Sequence, residues 1–215
     1  MNQDIRYFSQ GDILEMDKPI RRNLINSLTG FKSLCLCGTC DYQGQTNLTL
    51  LSQVIHVGAN PPLMGVLFRP NTVPRHTLAN IEATRLFTLN HVREDIYQKA
   101  HQTSASYPEE VSEFDAVGLT PTYSDLLQKV PYVAESHVKI GLQLKERHQL
   151  ISNMTIFIVG EIIEIMLPDQ AIGEDGFIDL ETTGSLTVSG LDSYHRTERI
   201  ARLRYPKPDR PVEPI

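Results

Sequence analysis

Residues 63–68, Leu-Met-Gly-Val-Leu-Phe, constrain this chain most tightly. The run is short and apolar, and Pro62 and Pro70 fence it, so it reads as a β-strand. Its neighbours read the same way. Residues 31–39 form an apolar strand, and residues 47–57 run into the next. Arg85-Leu86-Phe87-Thr88-Leu89-Asn90 alternates as a strand does. In residues 134–144, Val138, Ile140, Leu142 and Leu144 share one face, while Lys139, Gly141 and Gln143 share the other. That is a half-buried strand. Residues 153–167 make a long strand interrupted at Gly160, where a glycine marks a bulge or a close backbone approach. Asp41-Tyr42-Gln43-Gly44 suits a type I turn. The chain is therefore mainly β, with helical insertions, and it shows no internal repeat.

The helical signals are shorter. A turn of helix is expected at residues 23–28, ended by Gly30. Residues 78–86 form a helix with Thr77 as its N-cap. Residues 93–103 and 108–114 follow, the second with Pro108 in its first turn and acids that complement the dipole. Residues 122–128 make one more turn. The tail carries Arg196, Arg199, Arg202, Arg204, Lys207 and Arg210, and residues 196–204 read as a basic helix.

At 215 residues the chain suits one domain with arms. The boundaries fall at an N-terminal arm, 1–22, a domain, 23–192, and a C-terminal arm, 193–215. A net charge of −6 argues against nucleic acid as a partner. No apolar run is long enough to span a bilayer, and the first residues lack a signal peptide's apolar region, so the expected location is the cytoplasm. Cys35, Cys37 and Cys40 lie close together. A turn rather than a helix follows Cys37-Gly38-Thr39-Cys40, so these read as buried thiols on a strand. No metal site is expected: there is no second cysteine pair, no H-E-x-x-H, and no calcium-loop spacing among the acids near Gly173. A G-x-S-x-G elbow and a G-x-G-x-x-G loop are also missing.

The chemistry on offer is anion recognition. Arg75-His76-Thr77 stands at a predicted helix start, where N–H groups, the dipole, a guanidinium and a hydroxyl together suit phosphate. Taken alone, these residues read as a helix cap and a solvated charge. A wider pattern adds to that. Gly44, Asn47-Leu48-Thr49, Ser52, Pro61-Pro62, Arg69, Arg75-His76-Thr77, Asn80-Ile81, Phe87 and Asn90 resemble, in order, the flavin reductase-like family of FMN-binding split barrels. The resemblance continues through Gly160-Glu161-Ile162, Asp175-Gly176-Phe177-Ile178-Asp179 and Tyr194, covering residues 26–205. Two positions depart from the family. Arg75-His76 stands where Lys-Asp is usual, and Asn60 where Asp precedes the double proline.

The resemblance implies a Greek-key split β-barrel that binds FMN. Asn47, Leu48, Thr49 and Ser52 would hydrogen-bond along the ring and ribityl chain. Arg69, Arg75, His76 and Thr77 would hold the phosphate, and an apolar slot near Cys40 and Leu50 would take the ring. Electrons would come from NAD(P)H, with the nicotinamide stacked directly on FMN, or from a protein donor. The helical insertion would form a wall or lid over the flavin. Hydride transfer is done by the cofactors, so no catalytic side chain is nominated. A homodimer with FMN near the interface is implied as well. The alternatives are a flavoredoxin-like carrier without turnover of its own, or a flavin-free dimeric scaffold.

Overall fold

The computed structural model describes residues 5–70, 76–108 and 110–215. The chain begins with two helices, α1 (Gln10–Glu15) and α2 (Lys18–Ser27). A capping box starts α1: the Ser9 hydroxyl accepts from the Asp12 N–H, and the Asp12 carboxylate accepts from the Ser9 N–H. Pro19 sits in the first turn of α2, where its missing N–H costs nothing. The expected turn at 23–28 is thus the second half of a longer helix. Arg21 Nη1 donates to the Leu14 carbonyl and ties the pair together. Neither helix buries a residue.

The strands follow: β1 (Lys32–Ser33), β2 (Cys35–Cys40), β3 (Thr46–Leu51), β4 (Val54–Ala59) and β5 (Pro62–Phe68). Helix α3 (His76–Thr84) leads into β6 (Leu86–His91). Helices α4 (Tyr97–Gln102) and α5 (Glu113–Val117) come next, then the short pair β7 (Pro121–Thr122) and β8 (Tyr132–Val133). The long strands β9 (Lys139–Gln149) and β10 (Ile156–Met166) precede β11 (Thr187–Ser189) and β12 (Ser193–His195).

Seven strands form one antiparallel sheet in the order β3-β2-β6-β9-β10-β5-β4. Only Ser52 and Gln53 separate β3 from β4, yet these two strands stand at opposite margins of the order. One stretch of chain therefore serves both margins and closes the sheet on itself, as a barrel requires. Its interior is filled by Cys35, Cys37, Val66, Phe87, Leu142 and Ile158. A second core lies outside, where Leu34, Leu36 and Leu48 meet Ile96 and Ala100 of α4, Phe114 of α5, and Val188 of β11. Buried on both faces, β2 has no reason to alternate in polarity, and it reads as a continuous apolar run. Its cysteines act as small apolar groups. Burial pushes the Cys35 thiol up to about 12, and the Cys37 thiol further.

Gly160 meets both expectations for a glycine within a strand. The β9–β10 register shifts between Val159 and Gly160, and a Cβ on Gly160 would lie 2.7 Å from Phe87 Cζ. The Asp41–Gly44 turn is closed by a 3.2 Å bond from the Gly44 N–H to the Asp41 carbonyl.

The helical expectations shift more. Residues 93–96 form a bridge and turn before α4, with Arg93 paired to Ser185. The helix expected at 108–114 starts only after Ser112 and ends at Gly118, whose φ of 66° supplies a left-handed cap. Around residues 124–128 the chain makes one closed turn, from the Gln128 N–H to the Ser124 carbonyl.

The basic helix expected at 196–204 does not form. Acids fix the arginines there one at a time along an irregular path. Arg196 pairs with Glu94, and Arg199 with Asp179 at 2.9 Å. Arg202 pairs with Asp175 and stands 4.0 Å over the Phe177 ring. Asp175 and Asp179, two of the acids near Gly173, are among these partners. Among the described residues, no helix is long and apolar enough to cross a membrane.

Candidate functional site

The ordered motif gathers where α3 lies across β2 and β3. Asn47 is buried on β3, and its Nδ2 donates to Thr77 Oγ1 over 2.8 Å. Thr77 is not the N-cap. His76 is already helical, which leaves Thr77 within α3 with its hydroxyl turned to the strand. Three residues on, and so on the same helix face, Asn80 Nδ2 donates to Thr39 Oγ1 of β2 over 3.2 Å. These two side-chain bonds fix the start of α3 against the sheet.

Leu48 is fully buried, and its N–H donates to Glu113 Oε2 at 2.8 Å. β3 is a margin of the sheet, so that N–H has no neighbouring strand to meet, and a carboxylate takes it instead. Burial pushes the Glu113 carboxyl up. The Leu48 N–H, the residue's own N–H and the charge of His76 pull the other way, without cancelling the burial. Thr46 Oγ1 and Ser112 Oγ lie 2.8 Å apart beside this bond.

Thr49 pairs with Cys37 and is half-buried. Ser52 follows the end of β3, and Arg69 is exposed after β5. Arg75 lies outside the described residues. The predicted residues thus form two groups. Asn47, Leu48, His76 and Thr77 stand at one end of β3, while Ser52 and Arg69 stand at the other. At about 3.3 Å per residue, five residues of strand separate the groups by about 17 Å.

Cys40 and Leu50 do not share a slot. Cys40 packs with Leu127, Val130 and Tyr132, whereas Leu50 joins the outer core. Asn90 is structural: Nδ2 donates to the Leu36 carbonyl, and Oδ1 accepts from the Val133 N–H. Sequence reasoning missed Glu113 as a β3 partner and gave no role to Lys32. A carboxylate that reaches 65 residues back leaves no periodic signal. Concavities of about 440 and 450 Å³ lie at Arg204–Ile215 and around Arg93, Ser185 and Arg196, away from both groups.

The donor set at the start of α3 suits an anion. A helix start leaves its first N–H groups without intrahelical partners, and its dipole favours negative charge. His76 and the hydroxyl of Thr77 stand there, so a phosphate fits this position better than a cation does.

Comparison with known proteins bears on the fold and the family. A crystal structure of a candidate flavin reductase with a split barrel domain, from Shewanella frigidimarina NCIMB 400, is 48% identical. It matches with a TM-score of 0.90 over 94% of this chain and 100% of that one. Nitrilotriacetate monooxygenase component B from Bacillus cereus shares the fold at 19% identity, with a TM-score of 0.78 over 92% and 98%. Flavoredoxin of Desulfovibrio vulgaris (Miyazaki F) shares it at 22%, with a TM-score of 0.68 over 80% and 89%. Residues 31–183 match the flavin reductase like domain, and that span runs from the first strand of the barrel past its last, so this chain belongs to the flavin reductase-like family of split barrels.

Proposed function

We propose that this chain is an FMN-binding oxidoreductase that takes electrons from NADH or NADPH and passes them to an acceptor. The observation that carries this reading is the start of α3, held on β3 by the Thr77–Asn47 bond within the family match. FMN, when bound, supplies the hydride chemistry. The chain's part is to hold and orient. The first turn of α3 neutralises the phosphate, and Asn47 keeps that turn in register with the strand. The polar residues of β3 supply hydrogen bonds along the flavin.

The test is the colour of the purified protein and its response to reductant. A flavin spectrum that bleaches rapidly under anaerobic NADH or NADPH is expected. A yellow protein that neither reductant bleaches would make it a carrier and overturn the enzyme reading. A colourless protein that takes up no FMN would make it a scaffold.

The working form is proposed to be a homodimer. α1 and α2 bury nothing within the chain, and they leave Leu14, Ile20 and Leu28 exposed. Thr49, Ser52 and His76 are half-buried and Arg69 is exposed, so a second copy would cover them, and a two-fold pairing is the commonest arrangement. Light scattering is expected to give twice the chain mass. A monomer with flavin bound would overturn this.

A further inference from the structure

We infer that residues 203–215 form a clasp that docks on the acidic surface of a second copy of this chain. The segment is a small hairpin closed on itself. Leu203 bridges to Pro214. The Arg204 N–H donates to the Glu213 carbonyl at 2.9 Å, and the Ile215 N–H donates to the Arg202 carbonyl at 3.0 Å. At its tip stands Lys207-Pro208-Asp209-Arg210, where proline in the second position suits a type I turn. There the Arg210 N–H reaches the Lys207 carbonyl at 3.4 Å. Among the described residues, every hydrogen bond and ion pair of this segment stays within residues 202–215. The last tie to the body is Arg202, paired with Asp175. Beyond it every residue is exposed, Leu203, Tyr205, Val212 and Ile215 included. An isolated two-stranded hairpin is marginal in water, and apolar side chains gathered on one call for a surface that covers them.

The chemistry of the concave face selects the occupant. Its hollow of about 440 Å³ is lined by Tyr205, Val212 and Ile215 together with Arg204, Lys207 and Arg210. Arg204 has Glu213 at 3.8 Å, whereas among the described residues no acid pairs with Lys207 or Arg210. An apolar side chain flanked by carboxylates fits such a hollow. Residues 196–215 hold six lysines and arginines against three acids, and the rest of the chain carries an excess of nine acids. The chain's own body therefore has the matching sign. Its nearby acids, however, already hold Arg196, Arg199 and Arg202, and the hairpin folds back on Arg202 rather than on the body. A second copy offers the same acidic surface without that tether. Under two-fold symmetry each chain gives one hairpin and receives one, so the contact forms twice.

The clasp rests on the homodimer reading and adds the surface that makes the contact. Two full-length variants test it. In the first, a photoreactive benzoylphenylalanine replaces Tyr205, which is 89% exposed, so the fold is spared. Irradiation is expected to give a product of twice the chain mass, in a yield that falls as sodium chloride is added. In the second, Lys207→Glu is combined with Arg210→Glu, which sets like charge against the acidic surface. Its dimer Kd, from sedimentation across a dilution series, is expected to rise about tenfold or more, while circular dichroism stays that of the wild type. An unchanged Kd would overturn the clasp, as would the absence of a linked pair. If the wild type is still a dimer by mass in that case, the homodimer reading stands without the clasp. A wild type that is monomeric would overturn both.

Discussion

Carbon on both faces holds β2 in place, while paired charges at the surface hold the chain from Arg196 onward. β2 lies between the two apolar cores, and none of its residues reaches solvent to a notable degree. The C-terminal arm lies on acids from two separate turns, at Glu94 and at residues 175–181, with Ile200 fully exposed. Close-packed contact is insensitive to salt and intolerant of added volume. Exposed ion pairs are screened by salt and contribute little to stability. The barrel is therefore the part that resists change in solvent, and the arm is the part that answers to it.

Adding one methyl group to the outer face of β2 is the hardest test of that contrast. A Cβ on Gly38 would sit 2.2 Å from the Pro131 carbonyl oxygen and 2.6 Å from Thr88 Oγ1. Backbone cannot swing aside as a side chain does, so Gly38→Ala is expected to cost about 3 kcal/mol or more. Urea unfolding followed by circular dichroism measures this, and a loss under 1 kcal/mol would show that β2 is looser than described.

Acid is the next strongest lever. Burial holds His91 at about 4 against an ordinary 6.5, with Nδ1 2.9 Å from Ser185 Oγ. Above pH 6.5 the ring is neutral whether folded or unfolded. Between 6.5 and 4 the unfolded chain takes up a proton that the fold refuses, so stability falls as pH falls through that window. The loss is at most about 3 kcal/mol, because the ring is not fully sealed. Glu113, pushed up by burial, works in the opposite direction over part of the range. His91→Asn is expected to flatten the midpoint-against-pH curve relative to the wild type, which isolates the histidine.

The bond that fixes α3 comes third. Thr77→Val keeps the shape and removes the acceptor from the buried Asn47 amide, at a cost of about 1–2 kcal/mol. In a double-mutant cycle, Asn47→Leu is expected to cost less in the Thr77→Val background than alone. Additive losses would mean that the bond does not couple strand and helix. The smallest effect is expected at the arm. Arg202→Ala removes the pair with Asp175 and the contact over Phe177. The barrel's unfolding midpoint should stay where it is, while trypsin cuts the arm faster, as it also should in wild type at high salt. A shift of the barrel midpoint would tie the two regions together more closely than the geometry does.

The same contrast governs what the sequence made legible. The strands were readable because their apolar runs are local, and Gly160 was readable because a glycine within such a run has few other uses. The order of the motif from Gly44 to Asn90 led to the family before any contact was known. What stayed hidden depends on partners far apart in the chain. The arm reads as a basic helix by composition, yet Asp175, Asp179 and Glu94 dictate its path from 20 to 102 residues away. Thr77 has the chemistry of a cap, but Asn47, 30 residues earlier, takes its hydroxyl. The joint at Ser52 and Gln53 is also silent in sequence, because the polarity of residues 47–57 is the same whether one strand or two pass through them. Lys32, a single charge in an apolar run, gave no sign of the carbonyls it meets.

The three sealed thiols make the molecule its own recorder of opening. Cys35 and Cys37 lie inside the barrel and Cys40 under Tyr132, and burial holds each in its unreactive protonated form. An alkylating reagent added to the native protein reacts only with molecules whose strands have parted, so the labelling rate reports how often β2 is laid bare. The rate can be followed without a dye and without denaturant.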